Sequence, residues 1–225
     1  RDSGWRKGSG RFGCSMEYLV YLISAGLSLI AICISGATFW LTLVKKGRLI
    51  CLRPLSFNIR SVSYETDATY QILLRQLFIA TTGPRLFFIE QLYLELRKNT
   101  SRQQFNIWVY CKKNDLVRAS GIKIGHDDVN ADHYFLLPKD VSDYAFVAGS
   151  YKLELFAKVW GREDPVLLTE CEFAIDKKQS VALNNREQSL NFDWTNNERD
   201  YTSSFCKQHD GDLKHILNRL ISEVK

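Results

Sequence analysis

The sequence predicts a mainly β protein with one N-terminal transmembrane helix, an antiparallel β-sandwich and an amphipathic helix at the C-terminus. Three observations carry that expectation. Residues 18–44 hold no charged side chain, and at about 1.5 Å of rise per residue such a run crosses a hydrocarbon core of about 30 Å. Beyond it, apolar residues recur with period two in several short runs bounded by turn formers, the signature of strands with one buried face. Near the end, Leu213, Ile216, Leu217, Leu220, Ile221 and Val224 share one face of a helix that Asp210 or Asp212 can cap. The organisation that follows is a leader or non-native extension over 1–15, an anchor over 16–46, a sandwich over 47–195, and a polar linker with the terminal helix over 196–225.

The chain has 225 residues and a formal net charge of +5. Arg1, Arg6, Lys7 and Arg11 against Asp2 supply more than half of that charge. The remainder is nearly balanced, so a dedicated nucleic-acid binder is not expected. Met16, the single methionine, stands directly before the apolar run. Taken as the start, it leaves Glu17 and no basic residue on the N-terminal flank, against Lys45, Lys46, Arg48 and Arg53 on the other. The positive-inside rule then places the β domain in the cytoplasm, whereas with residues 1–15 included the two flanks nearly balance. A cleaved signal peptide is the competing account, because Ser35-Gly36-Ala37 has the small-x-small form of a cleavage site. The run is longer than a signal core of about 7 to 15 residues and continues into Lys45-Lys46, which favours an uncleaved single-pass anchor.

Within the span, Ser24, Ser28, Ala31, Ser35, Thr38 and Thr42 follow one another at spacings of three and four and form one helical stripe. Small and hydroxylated residues let helices approach in lipid, so the stripe is a candidate interface with a partner's helix or a second copy of this one. The competing reading is that each hydroxyl bonds back to a carbonyl of its own helix.

Strand candidates are 49–60, 72–80, 92–96, 105–111, 134–137, 151–159, 166–175 and 189–194, with Gly83-Pro84, Asn99-Thr100, Asn114-Asp115 and 161–165 as punctuation. No helical pattern alternates with them, which argues against a parallel doubly wound sheet. The polar stretch 176–209 reads as loop with one strand. Cys14, Cys33, Cys51, Cys111, Cys171 and Cys206 include no CxxC pair. A zinc ribbon or thioredoxin-like site is therefore excluded, and the thiols are small buried hydrophobes in a cytosolic domain or two disulfides in an exported one. Asn99-Thr100-Ser101 matches a glycosylation acceptor, a triplet expected by chance in a chain of this length.

Gly149-Ser150-Tyr151 opening a long alternating strand resembles the corner that begins a late strand of immunoglobulin-like and fibronectin-like domains, in which the tyrosine hydroxyl bonds nearby backbone. The resemblance implies that architecture and no activity. Residues 105–110, 133–140 and 148–157 also resemble stretches of membrane-anchored bacterial β-sandwich proteins, which implies an envelope setting and brings no catalytic motif.

Chemistry has few candidates. His126-Asp127-Asp128-Val129-Asn130-Ala131-Asp132-His133 gathers two imidazoles and three carboxylates, and His126, Asp128, Asp132 and His133 are the candidate metal ligands. A calcium loop fails, because His133 stands where a glycine is needed and Lys139 where a bidentate glutamate is needed. The competing reading is a solvated turn. There is no GxSxG elbow or phosphate loop, so an enzyme is not expected and no cofactor is assigned. Trp108, Tyr110 and Phe156 are expected on the solvent side of their strands, where aromatics anchor protein partners. The expectation is a single-pass membrane protein whose sandwich binds another protein. The alternatives are a metal or small-ligand sensor at 126–133 and an unrecognised hydrolase.

Overall fold

In the computed structural model the apolar run forms helix α1, Phe12–Phe39, which widens at Trp40 and Leu41 into a π turn. The structure describes residues 12–41, 47–64, 67–83, 85–112, 115–118, 121–125, 128–138, 140–141, 143–186 and 188–207. Apolar side chains project on every side of α1, with Leu22, Leu27 and Ile32 among the most exposed. A helix hydrophobic all round belongs in an apolar surrounding, and 18–39 is long and apolar enough to cross a membrane. A signal sequence near the N-terminus can meet the same criterion of length and apolarity. The chain divides into two units at residue 46, α1 in one and every strand in the other.

The second unit is antiparallel β throughout. Its strands are β1 Leu49–Cys51, β2 Ser56–Tyr64, β3 Asp67–Thr81, β4 Phe87–Lys98, β5 Ser101–Lys112, β6 Asp115–Arg118, β7 Ile122–Ile124, β8 Val129–Leu136, β9 Gly149–Val159, β10 Val166–Ile175, β11 Gln188–Thr195 and β12 Asp200–Lys207. Helix α2, Lys177–Asn184, links β10 to β11. Among the described residues all twelve strands join one sheet in the order β10-β9-β4-β5-β8-β3-β2-β11-β12, with β1 on β3, β6 on β5 and β7 on β4. The sheet is barrel-like, and its pairing does not divide into the two stacked sheets of a sandwich.

Its end strands meet through side chains. Phe173 of β10 packs edge-on against Phe57 of β2 at 5.1 Å and Phe192 of β11 at 4.8 Å. The Cys171 side chain of β10 lies beside Tyr201 of β12, whose hydroxyl donates to the Pro54 carbonyl at 2.5 Å. Bulges in β3, β4, β5 and β10 supply the coiling that lets one sheet curl on itself. The interior is filled by alternate side chains, among them Ile59, Ile72, Leu94, Phe105, Phe135 and Leu155, all fully buried or nearly so.

Several boundaries differ from the sequence reading. The candidate 49–60 is two strands, β1 and β2, interrupted around Pro54, a residue that cannot donate to a ladder. The stretch 176–209 holds α2 and two strands, and β12 pairs with β11 along its whole length, so residues 200–207, expected in the polar linker, belong to the sheet. The terminal helix expected over 213–224 lies outside the described residues.

Helix α2 starts at Asp176, whose carboxylate accepts from the Gln179 amide at 2.8 Å while the Gln179 side chain accepts from the Asp176 amide at 2.9 Å. This capping box satisfies two otherwise orphan donors. Leu183 enters the core, and the Asn184 carboxamide accepts from the Tyr70 hydroxyl and the Phe146 amide and donates to the Phe146 carbonyl. The helix thereby closes the end of the β9-β10 pair at which Gly149 and Ile175 meet. Asp176→Ala is expected to lower stability by about 1 kcal/mol in chemical denaturation; an unchanged midpoint would remove the cap from the account.

The Tyr151 hydroxyl donates to the Val147 carbonyl at 2.6 Å and accepts from the Val147 amide at 2.9 Å, the local bond that the sequence resemblance implied. Lys98 joins it, donating to the Val147 and Ala148 carbonyls and lying 5.3 Å above the Tyr151 ring. Gly149, at φ 141°, turns the chain into β9 in a conformation that favours glycine.

Candidate functional site

The outward face of β10, β9 and β4 carries an aromatic row. The register sets Leu167, Phe156 and Tyr93 side by side, and the Phe156 and Tyr93 rings stack at 5.4 Å with 13° between their planes. Both rings are half-buried, and Leu167 is exposed. Two residues along, the register sets Glu170, Glu154 and Glu95 in a second row, then Glu172, Lys152 and Arg97 in a third. Arg97 reaches Glu154 at 2.5 Å and Glu95 at 3.3 Å, and Lys152 reaches Glu170 at 2.8 Å and Glu154 at 3.5 Å. Glu154 is buried beneath these partners, so two cations compensate its charge. On the other side of the aromatic row, Lys158 pairs with Glu90 at 3.6 Å. The face thus has an apolar centre framed on both sides by ordered charges.

Phe156 is thus where the alternation put it. Tyr93, Leu167 and the charged rows were missed as parts of one face, because period two gives the side of each strand and not its neighbours. Trp108 lies on β5 at the bulge between Ile107 and Val109, and its side chain is outside the described residues. That bulge corrects the reading of Tyr110. The extra residue shifts the alternation, Tyr110 pairs with His133, and its half-buried ring packs against the core instead of standing free.

Among the described residues the metal candidates do not come together. His126 lies outside the described residues, and Asp128 is exposed. The loop ends at Asp128, since β8 begins at Val129, so Asp132 and His133 are strand residues on opposite faces. Asp132 holds the β3 bulge, accepting from the Gln76 amide at 2.7 Å, where Gln76 has φ 47°. His133 is buried and stacks on Tyr110 at 5.7 Å. Its Nδ1 donates to the Ala131 carbonyl at 3.0 Å, and burial pulls its pKa from 6.5 down to about 4. Among the described residues no group of three or more His, Cys, Asp or Glu is placed to hold a metal.

On α1, Ser24 donates to the Tyr21 carbonyl, Ser28 to the Ser24 carbonyl and Thr38 to the Ile34 carbonyl, at 3.0, 2.9 and 2.8 Å. These are the self-satisfying bonds that the sequence reading set against a helix interface. Ala31 and Ser35 lie on the same helix, and Thr42 is outside the described residues. Cys33, Cys51, Cys111, Cys171 and Cys206 are free thiols, and burial raises Cys51 to about 12 and Cys171 to about 11. Both therefore stay protonated and unreactive at neutral pH.

Separate comparisons with protein-family models, curated proteins and solved structures find no match to this chain.

Proposed function

We propose that this chain is a single-pass membrane protein whose β domain, on the cytoplasmic side, binds a protein partner as a non-catalytic subunit or adaptor of a membrane assembly. The observation that carries the reading is the stacked Phe156–Tyr93 pair beside Leu167, bordered on both sides by ion pairs. Aromatics held in place on an outward face bury large area at low entropic cost. The uncharged α1 followed by Lys45, Lys46 and Arg48 supports the anchor and its orientation. The Ser24 to Thr38 stripe supports a helix neighbour in the same assembly, because self-bonded hydroxyls still allow close backbone approach. The Tyr151 corner supports reading the barrel as a variant of the immunoglobulin-like sandwich.

The test is purification of the full chain from its own membrane in mild detergent, as wild type and as Phe156→Asp. A stoichiometric protein is expected with the wild type, with affinity reduced about thirtyfold in the variant, as for an interface anchor worth about 2 kcal/mol. Thermal melting controls for folding. A solitary chain in both preparations, or equal recovery of the partner, would sink the proposal.

A further inference from the structure

The opposite end of the β9-β10 pair from α2 has a different character. There Trp160, just past β9, is 71% exposed, and Phe88 and Leu86 are 46% and 42% exposed. The Trp160 amide donates to the Phe88 carbonyl at 2.9 Å, and the two rings meet edge to face at 6.4 Å. Lys123 is paired with Phe88 across β4 and β7, and Arg85 and Arg162 flank Leu86 and Trp160 in sequence. All three cations are on or beside the same rim, and Glu163 and Asp164 in the 161–164 turn offset part of their charge.

This rim is also where the chain enters the barrel. Arg48 exchanges bonds with Thr82, its amide donating to the Thr82 hydroxyl at 2.9 Å and its carbonyl accepting from the Thr82 amide at 3.0 Å. Thr82 stands four residues before Leu86, and Gly47 packs so closely on Gly83 that a side chain there would meet its backbone at 2.8 Å. The entry point and the exposed aromatics are therefore fixed on one edge of the same folded unit.

We infer that Trp160, Phe88 and Leu86 form a membrane-contacting rim that sits in the headgroup region of a lipid bilayer. Tryptophan concentrates at that depth because its ring is apolar and its N–H remains hydrated. Arginine and lysine beside it keep their charges in the headgroup layer while their stems cover apolar surface. Three large apolar groups left in water on one edge are otherwise a solubility liability. The inference rests on the anchor reading, which supplies the bilayer, and adds that the β domain touches that bilayer at a defined edge.

The experiment places the full chain in vesicles of equimolar phosphatidylcholine and phosphatidylglycerol, with plain or brominated acyl chains. The fluorescence of Trp160 is taken as the difference between wild type and Trp160→Phe. For a ring about 5–10 Å into the interface, the Trp160 signal is expected to lose about half its intensity in brominated vesicles. Phe88→Trp serves as a second variant and is expected to add emission quenched to a similar extent. Repeating the measurement in pure phosphatidylcholine separates the contributions: a retained effect assigns it to the aromatics, and a weakened effect to the cations as well. A Trp160 signal equal in plain and brominated vesicles, in a chain that floats with the lipid, overturns the rim and leaves the anchor standing. A chain that does not float overturns both.

Discussion

Replacing Phe57 by alanine is expected to lower the unfolding free energy by about 3–5 kcal/mol, the range for removing a fully buried aromatic from a packed core. The position makes the upper part of that range the expectation. Phe57 is fully buried, and its ring contacts Phe173, Phe192 and Tyr201 at 5.1, 4.7 and 5.0 Å. Those partners belong to β10, β11 and β12, so one side chain links β2 to both ends of the sheet. Aromatic pairs add about 0.5–1.5 kcal/mol beyond area burial. Chemical denaturation of the full chain in detergent measures the loss. A cost below about 1 kcal/mol would mean that the sheet is closed by its hydrogen bonds and not by this cluster.

Acid is expected to destabilise the β domain through His133. Burial holds its folded pKa at about 4, against the ordinary imidazole value of 6.5. The Ala131 carbonyl and Asp132 pull the other way, and desolvation outweighs them. Between these values the unfolded chain binds a proton that the folded chain refuses, so stability rises with pH across this window. The contribution is complete above about pH 6.5, is lost as pH falls, and levels off below about 4, with a total on the order of 3 kcal/mol. His133→Leu removes the titrating group. The wild-type minus variant difference in denaturation free energy, measured at pH 7.5 and 4.5, isolates the effect from the carboxylates, and equal slopes in both proteins would refute it.

Much of the barrel was readable because its strands have one wet face. Residues 166–175 are β10 as the alternation of Cys171, Phe173 and Ile175 implies, and Asn99-Thr100 is the tight turn between β4 and β5, with Asn99 at φ 52°. Three kinds of information were not in the pattern. Strand partners are tertiary, which is why one barrel-like sheet stood behind a reading of two. Bulges reset the alternation without a sequence mark, as at Trp108, and so Tyr110 was placed on the wrong side. Elements that bury little carry little periodicity: α2 buries Leu183 and Gln179, and β12, among the side chains described, buries Tyr201. The capping box Asp176-Lys177-Lys178-Gln179 was nevertheless a usable start signal for α2. For the candidate site, Phe156 was legible from its polar neighbours Lys152, Glu154 and Lys158, whereas the burial of His133 was passed over. Its spacing from Ala131 and Phe135 places it on the buried side of a strand, opposite Asp132.

The pairing of β2 with β11 has a consequence for biosynthesis. Phe57 leaves the ribosome near the beginning of the domain and its partner Phe192 near the end, so closure waits for almost the whole polypeptide. Long-range pairings of this kind are slow. The nascent domain therefore spends its synthesis as an open ribbon, with the ladder groups of β2 on the side later taken by β11 unmatched and available to any neighbouring strand. Only the β11–β12 hairpin, the last part of the sheet to be made, covers that side of β2.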